Sequence, residues 1–310
     1  MSTQNSGIEN WDDIRAAFHV ARLGTLSAAA SYLAIHHSTV IRKIDALEQR
    51  LGSKLFHRHA RGYTPTEVGQ ELMRVAAVTE EQFTQMVSKL RNRSDQVSGQ
   101  LVVTTVTALS PWLTPHLVAF QKLHPRLRIS LIANDRRLLL EHGEAHVALR
   151  AGTKPKELDN VVQHLCDFPA TLFAHESYVA SVGSFRSDAD IPSHRFVVSD
   201  IVMSTAPCHL WERENIPDTS VSYRASEVRS VEDAILAGAG IGFLSLWTAS
   251  RTPNLVEMTP VRPEWKTAVW MTTHSAIHHT AKIQAFSSFL KSRVQMMAAE
   301  DPILFGQEPQ

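Results

Sequence analysis

The chain has 310 residues, enough for two or three domains, and its 44% hydrophobic and 20% charged residues are those of an ordinary globular protein. No apolar run approaches the ~18 residues of a membrane helix, and the opening MSTQNSGIEN has no basic-then-apolar leader pattern, so a cytoplasmic protein with no membrane partner is expected. The formal net charge of +0 argues against a purely electrostatic nucleic-acid binder and shifts the question to how charge is distributed.

Residues 11–24 predict a first helix. Trp11, Ile14 and Phe18, with Ala17 or Ala21, fall at helical spacing, and Gly24 stops it. Ser27 is placed to cap a helix that begins at Ala28-Ala29-Ala30, with Ala30, Leu33 and Ala34 on one face. After a short turn over 34–37, a second helix is expected from about Ser38 to Arg50, closed by Gly52. Val40, Ile44, Leu47 and Leu51 form its buried stripe. The opposite face carries Ser38, Thr39, Arg42 and Lys43, so its N-terminal end suits a DNA major groove. A basic hairpin follows over 54–65. Leu55 and Phe56 anchor it, and Arg58, Arg61 and Gly62 suit a tip beside phosphates. From His36 to Tyr63, Arg42, Lys43, Arg50, Lys54, Arg58 and Arg61 stand against Asp45 and Glu48, a local basic patch on a neutral chain. A plain helical hairpin with a solvated basic face is the alternative. The joint presence of the helix pair, the glycine stop, the apolar pair and the basic wing favours a double-stranded DNA reader. Its candidate contacts are Ser27, His37, Ser38, Thr39, Arg42, Lys43, Arg58, Arg61 and Thr64.

Thr66 predicts the cap of a long helix running to about Arg93. Val68, Leu72, Val75, Thr79, Phe83, Met86 and Leu90 recur at steps of four and three, close to a coiled-coil seam. Pairing with a second copy is expected, which would place two readers on a two-fold operator. Residues 92–100 read as a polar hinge. Beyond them strands and helices alternate, predicting a parallel sheet with crossover helices: strands at Leu101–Val106, Leu127–Ala133 and Val147–Arg150, helices at Leu109–Leu123 and Arg136–His142. His164–Ala170 is expected to carry the chain into a second α/β lobe, with strands at Thr171–His175 and Phe196–Ser199 and a helix capped by Ser226. Trp265–Thr273 returns to the first lobe, and Ala281–Met296 is a final amphipathic helix. Gly238-x-Gly240-x-Gly242 follows a helix and precedes a strand, the reverse of a dinucleotide loop, and reads as a tight turn.

At Ala28-Ala29-Ala30, Leu33, Val40, Arg42, Ile44, Leu47-Glu48, Leu51-Gly52, Leu55-Phe56, Arg58, Thr64-Pro65-Thr66 and Gly69 the chain resembles the LysR-type transcriptional regulators. The resemblance covers about residues 11–295, specifically in the first 70 or so and diffusely afterwards. It implies an all-α winged helix-turn-helix domain (8–65), a linker helix that pairs subunits (66–94) and an effector-binding domain (100–310) of two α/β lobes of periplasmic-binding-protein type. Lobe I would span about 100–166 and 267–300, lobe II about 167–266. Homodimers or homotetramers follow from the family pattern, with RNA polymerase a further candidate partner. Three departures stand out. His36-His37 replaces the usual Ser-Gln at the recognition-helix entrance, with His36 expected to cap less well than Ser. Ile41 replaces a frequent Ser, and His146 stands where the family usually has Asp.

Ligands in such lobes sit near the carboxyl ends of strands and at helix N-termini. Thr105, Val106 and Thr107 are the first candidates, with Arg150, Ser204, Thr205 and Ser226 completing a wall suited to a small, anionic effector. No cofactor is implied. The spacing of His274, His278 and His279 lacks the company of a metal motif. Cys166 and Cys208 read as small buried residues rather than a redox pair. A two-lobe enzyme with a DNA-binding appendage is the competing class, but no nucleophile elbow, HExxH or phosphate loop supports it. A solute receptor is opposed by the N-terminal reader.

Overall fold

Asn10 opens α1 (Trp11–Leu23) by accepting the Asp12 amide, and Gly24 closes it in the left-handed region at φ 75°. The computed structural model describes residues 10–59, 62–91, 97–134, 138, 140, 143–201 and 204–306. Helix α2 (Leu26–Leu33) begins two residues before the expected start. Thr25, with extended backbone, accepts the Ala28 amide at 3.3 Å, so the cap is Thr25 and not Ser27. Ser27 lies exposed in the first turn. Ala34 turns the chain at φ 55°, and α3 (His37–Leu51) follows, ended by Gly52. His36 does cap this helix, through a long bond: its Nδ1 accepts the Ser38 amide at 3.4 Å and meets the Ser38 hydroxyl at 2.8 Å. Phe18, Val20, Val40, Ile44, Leu47 and Leu55 form the core of the helix trio.

The wing is β1 (Phe56–His59) paired antiparallel with β2 (Gly62–Pro65), so the N-terminal domain is helical apart from this hairpin. The Tyr63 amide donates to the Gly24 carbonyl at 2.9 Å, and any side chain at Gly62 would run into that carbonyl. Thr66 caps α4 (Glu67–Arg91) as expected. Its hydroxyl accepts the Gly69 amide at 3.1 Å and donates to the Lys54 carbonyl at 2.7 Å.

The remainder runs β3 (Gly99–Thr105), α5 (Ser110–Leu123), β4 (Leu127–Ala133), β5 (Val147–Ala151) and β6 (Asn160–Phe168). Then come β7 (Ala170–His175), α6 (Glu176–Val182), β8 (Phe196–Ser199), α7 (Pro207–Asn215), β9 (Val221–Ala225), α8 (Val228–Leu236), β10 (Gly242–Ser245), α9 (Leu246–Ala249) and β11 (Leu255–Glu257). Strand β12 (Thr267–His274), α10 (Ser275–His278) and α11 (Ala281–Glu300) finish it. The helix expected over 136–142 falls mostly outside the described residues.

Lobe I is one sheet in the order β4-β3-β5-β12-β6. Only β4, β3 and β5 run parallel. The returning β12 is antiparallel to both β5 and β6, so the sheet is mixed. The segment expected to be a plain crossing, His164–Ala170, lies mainly in β6 on the sheet edge, and Pro169 marks the passage to lobe II. Helices α5 and α11 cover one face through Trp112, Phe120, Phe286 and Leu290.

Lobe II joins an antiparallel trio, β10-β7-β11, to a parallel pair, β8-β9. Ile241 stitches them: its carbonyl accepts the Val197 amide and its amide donates to the Arg195 carbonyl, both at 2.8 Å. A side chain at Gly242 would strike the Val197 carbonyl and Ile235, so the glycine run is a close-packed helix-to-strand turn. Ser226 does not cap α8. Glu227 holds that position without a side-chain bond, leaving the helix's first amides uncapped by side chains.

Candidate nucleic-acid interface and interlobe cleft

Helix α3 is held on both flanks by buried acids. Asp13 of α1 binds Lys43 at 3.2 Å and Arg50 at 2.6 Å. Glu48, also buried, accepts the Leu55 amide at 2.9 Å, Lys54 at 2.7 Å and Arg58 at 3.1 Å. Burial pushes the Glu48 carboxyl up, but the Lys54 and Leu55 hydrogen bonds and the Arg58 charge outweigh it and hold it below the ordinary range. Arg58 also reaches Asp45 at 2.5 Å and lies over the Tyr63 ring, 5.5 Å from its centroid.

Two expected DNA contacts therefore have other engagements. Lys43 braces α3 against α1, and Arg58 ties the wing to α3 instead of lying at the hairpin tip. Arg61, the other expected tip residue, is outside the described residues. Between the flanks Ser38 and Arg42 are exposed, and Arg42 makes no ion pair among the described residues. His37 is exposed beside His36, with ring centroids 4.5 Å apart. Thr39 is half-buried, and the Thr64 hydroxyl pairs with His59 Nε2 at 2.8 Å. In the sequence Glu48 is visible only as a countercharge and a family-matching position, and Asp13 carries no role. The available signal was an acid at each helix position next to the apolar stripe.

Helix α4 turns Met73 and Ala76 into the N-terminal core and leaves Val68, Val75, Phe83, Met86 and Val87 exposed. Leu72 packs half-buried against that core, Thr79 bonds back to the Val75 carbonyl, and the Leu90 side chain lies outside the described residues. Glu80 accepts His19 at 3.1 Å with Arg15 and Arg22 nearby, fixing α4 to α1.

The carboxyl ends of β3 and β5 face the starts of α7 and α8 across the lobes. The Thr205 hydroxyl accepts the Thr153 amide at 3.2 Å, and a side chain at Gly152 (φ 108°) would strike it. Residues Thr107–Leu109 pack against α8. Thr105 is buried, and its hydroxyl has no partner among the described residues, while Val106 and Thr107 are half-buried. The Ser204 hydroxyl meets His209 Nδ1 at 2.7 Å. Burial, then Arg213, holds His209 down to about 4, and burial pushes Glu212 up to about 8 despite the Ser199 amide and two arginines. Ser226 is exposed near the start of α8.

Arg150 is set apart from Thr105. It donates to the Thr104 hydroxyl at 3.3 Å, and alternation along β3 and β5 puts Thr104 and Arg150 on the face opposite Thr105. His146 lies at the other end of the strands. Its Nδ1 accepts the Val102 amide at 2.8 Å beside Lys282, so its departure from the family pattern bears on the fold. Cys166 and Cys208 lie in the separate cores of lobes I and II, and burial raises both thiols, Cys208 to about 12.

A helical reader with a wing, joined by a long helix to two α/β lobes, defines an effector-responsive DNA-binding protein. Residues 11–70 match the family model of the bacterial regulatory helix-turn-helix protein, lysR family, and residues 94–295 match the LysR substrate binding domain. The chain belongs to the LysR family of transcriptional regulators. It is 27% identical over 253 residues to a helix-turn-helix-type transcriptional repressor of Pseudomonas aeruginosa, covering 79% of each chain. Its fold is similar to that of full-length OxyR of Pseudomonas aeruginosa, with TM-score 0.72, 15% identity and 96% of each chain covered. It is also similar to ArgP of Mycobacterium tuberculosis, with TM-score 0.73, 15% identity, 92% of this chain and 97% of that one.

Proposed function

We propose that this regulator acts in the cytoplasm as a homodimer or as a homotetramer made of two such dimers, reading operator DNA with α3 and its wing. The domain limits are 8–65 for the reader, 66–94 for the linker and 100–310 for the effector-binding part. The observation that carries the reading is the exposed Ser38–Arg42 ridge, held between Asp13 and Glu48 so that neither flank of α3 can roll. Ser27, His37, Thr39 and Thr64 surround the ridge as secondary contacts. Arg42→Ala should weaken operator binding roughly fivefold to a hundredfold, the range of one good base contact. Unchanged binding in an electrophoretic mobility assay would remove α3 from the interface.

The effector is a small anion held between Thr105–Thr107 and the starts of α7 and α8, with Ser204, Thr205 and Ser226 on the lobe II side. The buried Thr105 hydroxyl, without a partner among the described residues, and the amides at the start of α8, which lack a side-chain cap there, support this. Arg150 serves the wall from the far sheet face through Thr104. Thr105→Val should abolish effector-dependent transcription while operator binding persists.

The chain transduces binding rather than catalysing a reaction. The Ser204–His209 contact resembles part of a hydrolytic triad, but an imidazole held down to about 4 is a weak general base at neutral pH. RNA polymerase is the downstream partner of this reading.

A further inference from the structure

We propose that residues 301–306 form a strap over the hinge between the lobes and set how far the lobes close. The inference rests on the two-lobe fold and not on what the cleft binds. The chain crosses between the lobes twice, at 167–169 on leaving β6 and at 265–267 on entering β12. The crossings lie side by side, with Thr267 paired to Phe168. Any closure of the lobes has to be absorbed in the backbone of these few residues. After α11 the chain turns back toward them. Asp301 ends the helix, its carboxylate accepts the Leu304 amide at 3.4 Å, and a short 3-10 helix, Ile303–Phe305, follows. This turn lies beyond the residues that match the family models.

The turn is tied to both crossings. Phe305 is buried and packs its ring against Phe168 of the first, with centroids 5.7 Å apart. The Lys266 ammonium of the second donates to the Gly306 carbonyl at 2.7 Å. Gly306, at φ 67°, fits between them: a side chain there would come within 3.2 Å of Lys266 Cδ and 3.4 Å of Asp167 Cβ. The turn also touches both lobes. Leu304 packs against the lobe I core and against the lobe II cluster that holds Ile235 and Leu244. Those cores belong to the two bodies that move, so a rotation about the crossings cannot keep Leu304 seated on both. The strap therefore stabilises the lobe arrangement in which Thr205 accepts the Thr153 amide. A ligand that prefers this arrangement binds a population the strap has already enriched.

The test measures the distance between lobes in the full-length protein, with spin labels carried by Leu158→Cys and Tyr223→Cys, one exposed site per lobe. Dilution with unlabelled chain makes distances within one chain dominate. Leu304→Ala withdraws the contact with both cores. Lys266→Met removes the ammonium and keeps the stem, and Lys266→Arg keeps a donor. Both residues are half-buried, so the variants should retain wild-type circular dichroism. Leu304→Ala and Lys266→Met are expected to lengthen and broaden the distance distribution, a loss of roughly threefold to tenfold in the ratio of closed to open lobes. Lys266→Arg should follow the wild type. Distributions that superimpose on the wild type in the folded Leu304→Ala and Lys266→Met chains overturn the strap. Loss of folded structure in both overturns it as well, because residues 301–306 would then be part of the lobe I core and not a clamp on the hinge.

Discussion

Two buried glutamates show how one residue type takes opposite characters. Glu48 gathers Lys54, the Leu55 amide and Arg58, and its carboxyl is held low. A carboxyl held low adds stability above its ordinary value of 4.5 and loses that contribution as pH falls below it. Glu48→Gln should therefore melt earlier than the wild type at pH 7, by about 2 kcal/mol in stability. The gap should shrink on acidification through the carboxylate range. Glu212 is the reverse: burial raises it to about 8, so the folded chain keeps its proton while the unfolded chain gives it up near 4.5. Between those two values stability falls as pH rises. Glu212→Gln, which has no proton to lose, should gain on the wild type in thermal melts from pH 5 to pH 8. Parallel melting curves for the pair would place Glu212 in a wetter setting than its burial indicates.

At the scale of elements, the two ends of α2 and the seam of α4 separate what the sequence makes legible from what it hides. Thr25→Ala should cost about 1 kcal/mol and Ser27→Ala little, measured by urea denaturation, because Thr25 alone accepts an orphan amide. Threonine and serine two places apart are equivalent as a pattern. Only the backbone angles at Thr25 decide between them. Periodicity finds α1, α3 and α11 because each buries a long stripe, and α4 because its apolar residues recur at helical steps although most of them are exposed in a single chain. It misses β6, whose edge position leaves a weak alternation, and the mixed sheet, because strand direction depends on how β12 returns from lobe II. The basic residues of the reader are visible in the sequence, but their division into braces and free contacts is not. That depends on Asp13 reaching α3 from α1 and on the wing bringing Lys54 and Arg58 to Glu48 of α3. The α4 seam survives in space as Val68, Val75, Phe83 and Met86, exposed in a single chain. Val75→Asp with Phe83→Asp should yield monomers by light scattering without unfolding the reader. Leu72 is the poorer test, because it also packs against the N-terminal core. An intact dimer would move the self-association surface off α4.

For the whole molecule, a net charge of +0 with a basic reader means that operator affinity should fall steeply with salt while the effector domain adds little attraction of its own. Communication between cleft and reader has to pass through packing. The lobes meet where Thr205 accepts the Thr153 amide above Gly152, whose carbonyl also holds the Trp270 indole at 2.9 Å. Thr205 is thus a latch between lobes, tied through Gly152 to β12, an interior strand of the lobe I sheet. Thr205→Val keeps the side chain's shape and removes the acceptor, which should weaken the contact by about 1 kcal/mol, or roughly fivefold in the balance of closed and open lobes. Spin labels on cysteines at exposed Leu158 and Tyr223, one per lobe, would report that balance, since the native thiols are buried and resist labelling. A longer, broader distance distribution in Thr205→Val is the expected outcome. Superimposable distributions would show that the lobes are held by other contacts, and the effector would then have to act without changing lobe closure at this point.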